Sequence, residues 1–138
     1  MILDIVRPIL ERVFGAFSDR RKVRFTVHRG FFISGGKECF FLNLSNLSRN
    51  REIEITHVYL ECGEQIQALH RDRLLPKRLR PDESWETWVE VERVPSSLQG
   101  TAYTLGRARL SSGKILKSVE NKNVPSAGTI PGGPISSN

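Results

Sequence analysis

From residue 85 onward the chain alternates: Trp85, Thr87, Val89 and Val91 hold one phase, and Glu86, Trp88, Glu90 and Glu92 hold the other. A period of two puts successive side chains on opposite faces of a strand, so the stretch can bury one side only as β-structure. The same pattern recurs upstream. Val23, Phe25 and Val27 alternate with Arg24, Thr26 and His28, and Phe40, Leu42 and Leu44 mark one face of a strand over 38–45. Between 52 and 62 the phase changes: Ile53 and Ile55 fall on one side, while Val58, Leu60 and Cys62 fall on the other. An extra residue near Thr56-His57 would restore a common inward face, which predicts a β-bulge.

Turn chemistry punctuates these segments. Phe31 to Ile33 runs into Gly35-Gly36, a polar turn covers 46–51, and Gln65 to Leu69 reads as a weaker strand. Two further strands are expected over 103–110 and 114–119, joined by a hairpin turn at Ser111-Ser112-Gly113. Seven or eight short strands at this spacing predict an all-β, antiparallel sandwich over residues 22–120. Residues 121–138, rich in Pro, Gly and Ser, read as a flexible tail.

Residues 1–19, within an N-terminal segment 1–21, follow a different period. Ile2, Ile5, Val6, Ile9, Leu10, Val13, Phe14 and Phe17 recur at steps of three and four, with Asp4, Arg7, Glu11 and Arg12 opposite. This predicts an amphipathic helix that starts or bends at Pro8. Each large apolar side chain gains about 1.5–3 kcal/mol on full burial, so the stripe needs cover. It can pack on the sandwich, meet a partner helix, or lie in a membrane interface with Arg20, Arg21, Lys22 and Arg24 against anionic headgroups. Spanning a bilayer is disfavoured, because Asp4, Arg7 and Arg12 would each cost about 2.5–3.5 kcal/mol near its centre. Charges interrupt the apolar stretch, which also argues against a signal peptide and for a cytoplasmic protein, at most peripheral at the inner membrane.

Three stretches occur together: Asn43-Leu44-Ser45-Asn46-Leu47-Ser48, Leu79-Arg80-Pro81-Asp82-Glu83-Ser84-Trp85-Glu86 and Leu110-Ser111-Ser112-Gly113-Lys114. Their combination resembles small immunoglobulin-like β-sandwich proteins of bacteria, a group of unknown function. The resemblance covers roughly residues 22–120 and implies a fold; it carries no functional residue to this chain.

The formal charge is +6, and its location matters more than its size. Residues 1–24 carry six basic and three acidic groups, so half of the excess borders the apolar stripe. A second concentration, Arg71, Arg73, Lys77, Arg78 and Arg80, suggests phosphate contacts by a basic loop over 70–80. Asp72, Asp82 and Glu83 interrupt it, and no aromatic residue is interleaved for base stacking, which favours a solvated loop over a nucleic-acid site. Trp88 lies on the acidic face of its strand, where it either anchors a partner or packs across neighbouring strands.

Catalytic and metal signals are weak. There is no Gly-x-Ser-x-Gly elbow, Gly35-Gly36-Lys37 lacks the spacing of a phosphate loop, and His28, His57 and His70 show no metal-ligand spacing. The three histidines read as surface or edge-strand residues. Cys39 and Cys62 are expected to act as small reduced hydrophobes, a disulfide being the alternative. The sequence therefore predicts no enzyme, cofactor or metal. It points to a protein-interaction module, with another protein, a second copy or an anionic membrane surface as partner. Nucleic-acid binding through the basic loop is the alternative.

Overall fold

The computed structural model describes residues 23–122. The helix expected over 1–19 and nearly all of the tail lie outside them. The described residues form nine strands: β1 (Val23–Gly30), β2 (Cys39–Asn46), β3 (Ile53–Glu61), β4 (Gln65–Gln67), β5 (Lys77–Leu79), β6 (Ser84–Glu90), β7 (Gly106–Leu110), β8 (Ile115–Lys117) and β9 (Val119–Glu120). They form two sheets. The first has the order β6-β2-β1-β9; the second has the order β4-β3-β7-β8, with β5 also paired to β3.

The alternation seen in the sequence sorts side chains between the sheets. Phe25, Val27, Phe40, Leu42, Leu44 and Val89 of the first sheet share one buried cluster with Ile55, Val58, Leu60, Leu79, Ala108 and Leu110 of the second. The phase change in β3 is resolved as expected, by a register shift between Ile55 and His57 that leaves Ile55, Val58 and Leu60 all fully buried. Trp85 packs against this core from a half-buried position. The β7–β8 hairpin turns at Gly113, whose φ of 92° suits glycine.

Asn46 explains two of the motif stretches. It is fully buried, and its side-chain amide donates to the carbonyls of Arg51 (2.7 Å) and Leu79 (3.1 Å) while its Oδ1 accepts from the Ser48 N–H (3.0 Å). Its backbone N–H donates to the Glu83 carbonyl and its carbonyl accepts from the Asp82 N–H. One side chain thus ties the end of β2 in the first sheet to β5 in the second, with each polar atom matched.

Three expectations are corrected. The strand expected over 103–110 starts only at Gly106, because residues Ser96–Thr104 form a 3-10 stretch in which Leu98, Thr101 and Ala102 close short turns. The strand expected over 114–119 is two strands in different sheets, and β9 runs parallel to β1 rather than antiparallel. His28 is not at the surface: it sits in β1, an inner strand in its sheet's order, with 4% of its surface exposed.

The crossover from β8 to β9 turns on Ser118. Its hydroxyl accepts from the Gly106 N–H (2.9 Å) and donates to the Tyr103 carbonyl (2.7 Å). A Cβ on Gly106 would lie 2.6 Å from that Oγ and 2.9 Å from the Ser118 Cβ, so glycine is required by close approach. Gly106→Ala should therefore cost about 1–3 kcal/mol in urea or thermal unfolding, as overpacking of a closed site does. Near-normal stability would mean that the crossover yields easily.

Candidate docking surfaces

The outward face of the first sheet is built in rows. Registry places His28 of β1 opposite Phe41 of β2, and Phe41 opposite Trp88 of β6. The rings touch along this row: His28 stacks on Phe41 (5.2 Å between centroids), and Phe32 from the β1–β2 loop meets both Phe41 (5.1 Å) and Trp88 (4.8 Å) edge-on. The segment after β4 closes the other side. His70 stacks on Trp88 at 4.0 Å, and the Arg73 guanidinium lies 5.5 Å from its ring centre. The Trp88 ring is thus packed by Phe32, His70 and Arg73, a contact set that the β-alternation by itself does not disclose.

The same two residues close a sheet edge. β6 is the outer strand of its sheet, and an unpaired edge offers carbonyls to any passing strand. His70 Nε2 bonds the Trp88 carbonyl (2.6 Å) and Arg73 Nε donates to the Glu86 carbonyl (2.8 Å). Arg73 therefore contributes to the fold rather than to an open cationic patch. The other basic residues of the stretch diverge. Lys77 and Arg78 belong to β5, and Arg78 faces Glu52 (3.7 Å) and Glu54 (4.0 Å). Arg71 and Arg80 are exposed, and Arg24 is exposed on β1. The apolar stripe of residues 1–19 and Arg20, Arg21 and Lys22 lie outside the described residues.

Beneath the ring row is a polar one, Thr26–Asn43–Glu86. Burial pushes the Glu86 carboxyl up, against the opposing effects of Asn43 and Arg73, and its Oε2 has no hydrogen-bond partner. His28 is perturbed in the matching sense: burial lowers its imidazole, and neither ring nitrogen has a partner. Both groups are thus held toward neutrality. The cysteines are free and buried, Cys39 at the start of β2 and Cys62 just past the end of β3; burial pushes the Cys39 thiol up to about 11 and raises that of Cys62, so neither is an activated nucleophile. Among the described residues no three His, Cys, Asp or Glu side chains gather as a metal site, and no helix is long and apolar enough to cross a membrane.

The opposite border of the sandwich is different. β9 pairs with β1 only at Thr26 and Val27, so the edge of β1 from Val23 to Phe25 has no strand beside it among the described residues, while β8 is the outer strand of the second sheet. Two hollows lie along this seam, of about 850 and 280 Å³, and Val23, Lys114 and Leu116 line both. The larger is walled by Phe25, Leu47, Ile115 and Val119, with Arg24 and Lys117 also lining it. Leu47, Ile115 and Val119 are 40, 50 and 57% exposed, unusual for large apolar side chains sharing one wall. These residues carried one sequence signal: adjacent Ile115 and Leu116 in a short strand cannot both face inward.

Comparison with protein-family models, with curated proteins and with solved structures gave no match to this chain.

Two titrations of opposite sign follow from the polar groups. The folded value of His28 lies below its ordinary 6.5, so the native state binds fewer protons than the unfolded chain as pH falls. Its contribution is complete above 6.5 and is lost as pH falls from there through the folded value. Glu86 keeps its proton to higher pH in the native state, so stability is lost as pH rises through its folded value. His28→Phe should flatten the stability loss as pH falls below about 6.5. Glu86→Gln should raise the melting temperature at neutral pH, with the gain vanishing in acid where the wild-type carboxyl is protonated. Parallel wild-type and variant profiles would contradict each assignment. Separately, Trp88→Ala should destabilise by about 2–4 kcal/mol, since three side chains lose their common partner; a loss near zero in urea unfolding would mark the ring as dispensable to the fold.

Proposed function

We propose that the chain is an immunoglobulin-like β-sandwich acting as a non-enzymatic protein-interaction module. Its strand order supports the fold reading: β6-β2-β1 corresponds to the E-B-A order of such sandwiches, and β4-β3-β7-β8 to C′-C-F-G. The observation that carries the functional reading is the open seam between β1 and β8, an apolar groove with basic residues among its lining on a sandwich whose β6 edge is closed by side chains. A groove of this kind suits the apolar face of an amphipathic segment. The N-terminal stripe, with Arg20, Arg21, Lys22 and Arg24, supplies attachment to another protein or to an anionic membrane surface. Two unpaired cysteines fit a reducing, cytoplasmic setting. Nucleic-acid binding through residues 70–80 draws less support, because Arg73 and Arg78 already have internal partners.

Affinity capture from host extract with the wild-type chain and with an Ile115→Asp/Val119→Asp variant tests this. Proteins held by the wild type should be lost or reduced about tenfold with the variant, as expected for removing apolar anchors from an interface. Equal capture by both would move recognition away from the seam. Salt-sensitive retention of nucleic acid by both would favour the basic loop.

A further inference from the structure

We propose that the seam between β1 and β8 is the seat of the chain's own N-terminal segment, residues 1–22, which stores its apolar stripe there until a partner or membrane takes it up. This rests on the reading of the seam as a docking groove and names its resident occupant. The first argument is the tether. The segment joins the described chain at Val23, which lines both hollows, so only residues 18–22 separate the stripe from the groove. A covalently adjacent segment has an effective concentration on the order of millimolar, ahead of a free competitor.

The second argument is length. As a helix, Ile2 to Phe17 spans about 24 Å at 1.5 Å per residue. The open edge of β1 from Val23 to Phe25 spans about 10 Å at 3.3 Å per residue, so the groove takes about two turns of the stripe, those nearest Val23. The third is complementarity. Leu47, Ile115 and Val119 account for three of the seven exposed large hydrophobics among the described residues, and all three wall this groove. The stripe presents Ile2, Ile9, Val13 and Phe17 at helical spacing, and Asp4 and Glu11 lie two turns apart on its flank, suited to a rim that includes Arg24 and Lys117. Covering the edge of β1 at Val23–Phe25 with a helix would also remove an open strand edge, a recurrent solution in β-proteins.

Disulfide trapping in the full-length chain tests the seat. Val13→Cys combined with Val119→Cys, or Phe17→Cys combined with Leu47→Cys, should form a cross-link within one chain under mild oxidation, read by non-reducing electrophoresis and peptide mass. Arg7→Cys combined with Val119→Cys, from the polar stripe, should not. The native thiols give little background, because both are buried and that of Cys39 is pushed up to about 11. A second readout avoids engineered cysteines: Ile115→Asp/Val119→Asp should speed tryptic cleavage after Arg12 by about tenfold or more, through loss of the docked state. Near-UV circular dichroism checks that this variant stays folded, since both positions are half exposed. Cross-links between two chains would assign the seam to a second copy and overturn the proposal. So would absence of cross-linking with unchanged cleavage. These outcomes do not depend on host-protein capture: equal capture by wild type and the Ile115→Asp/Val119→Asp variant, with intact trapping, would sink the partner reading alone.

Discussion

Where β8 gives way to β9, the chain leaves one sheet and joins the other, and a single hydroxyl makes that step. Ser118 accepts from the Gly106 N–H and donates to the Tyr103 carbonyl, in a space that a Cβ at position 106 would fill. Because the crossover is fixed there, β9 reaches β1 only at Thr26 and Val27. From Val23 to Phe25 that border has no strand beside it among the described residues, and the larger hollow lies there.

The other border shows what closure requires. A sheet edge without a neighbouring strand exposes backbone acceptors, and on β6 two of these are taken by His70 and Arg73. The same side chains pack the faces of Trp88, so one segment supplies both polar and apolar cover. On the same face, the Oε2 of half-buried Glu86 on β6 and both ring nitrogens of buried His28 on β1 are left without partners. Two borders of one sandwich thus differ in kind: one is sealed by side chains, and the other offers apolar area.

Charge gains meaning by the same route. In sequence, Arg71 to Arg80 read as a cluster; in space, Arg73 lies over Trp88, Arg78 faces Glu52 and Glu54, and Arg71 and Arg80 are exposed. Asn46 is a comparable case. Within Asn43 to Ser48 it is one polar residue among several, yet it holds Arg51, Leu79 and Ser48 at once and joins the two sheets. Neither role has a local signature, because each depends on a partner far away in the chain.

The alternation of β1, β2, β3 and β6, the bulge that reconciles Ile55 with Val58, and the turn at Gly113 were legible in the sequence, since each rests on side-chain period or backbone freedom within a few residues. The parallel pairing of β9, the 3-10 stretch before β7, the burial of His28 and the open seam were not. Pattern tells which face of a strand is apolar; it does not tell which strand lies beside it or where pairing stops. Those were decided by tertiary packing, through contacts such as Ser118 with Gly106 that join residues 12 positions apart and exist only once both sheets are in place.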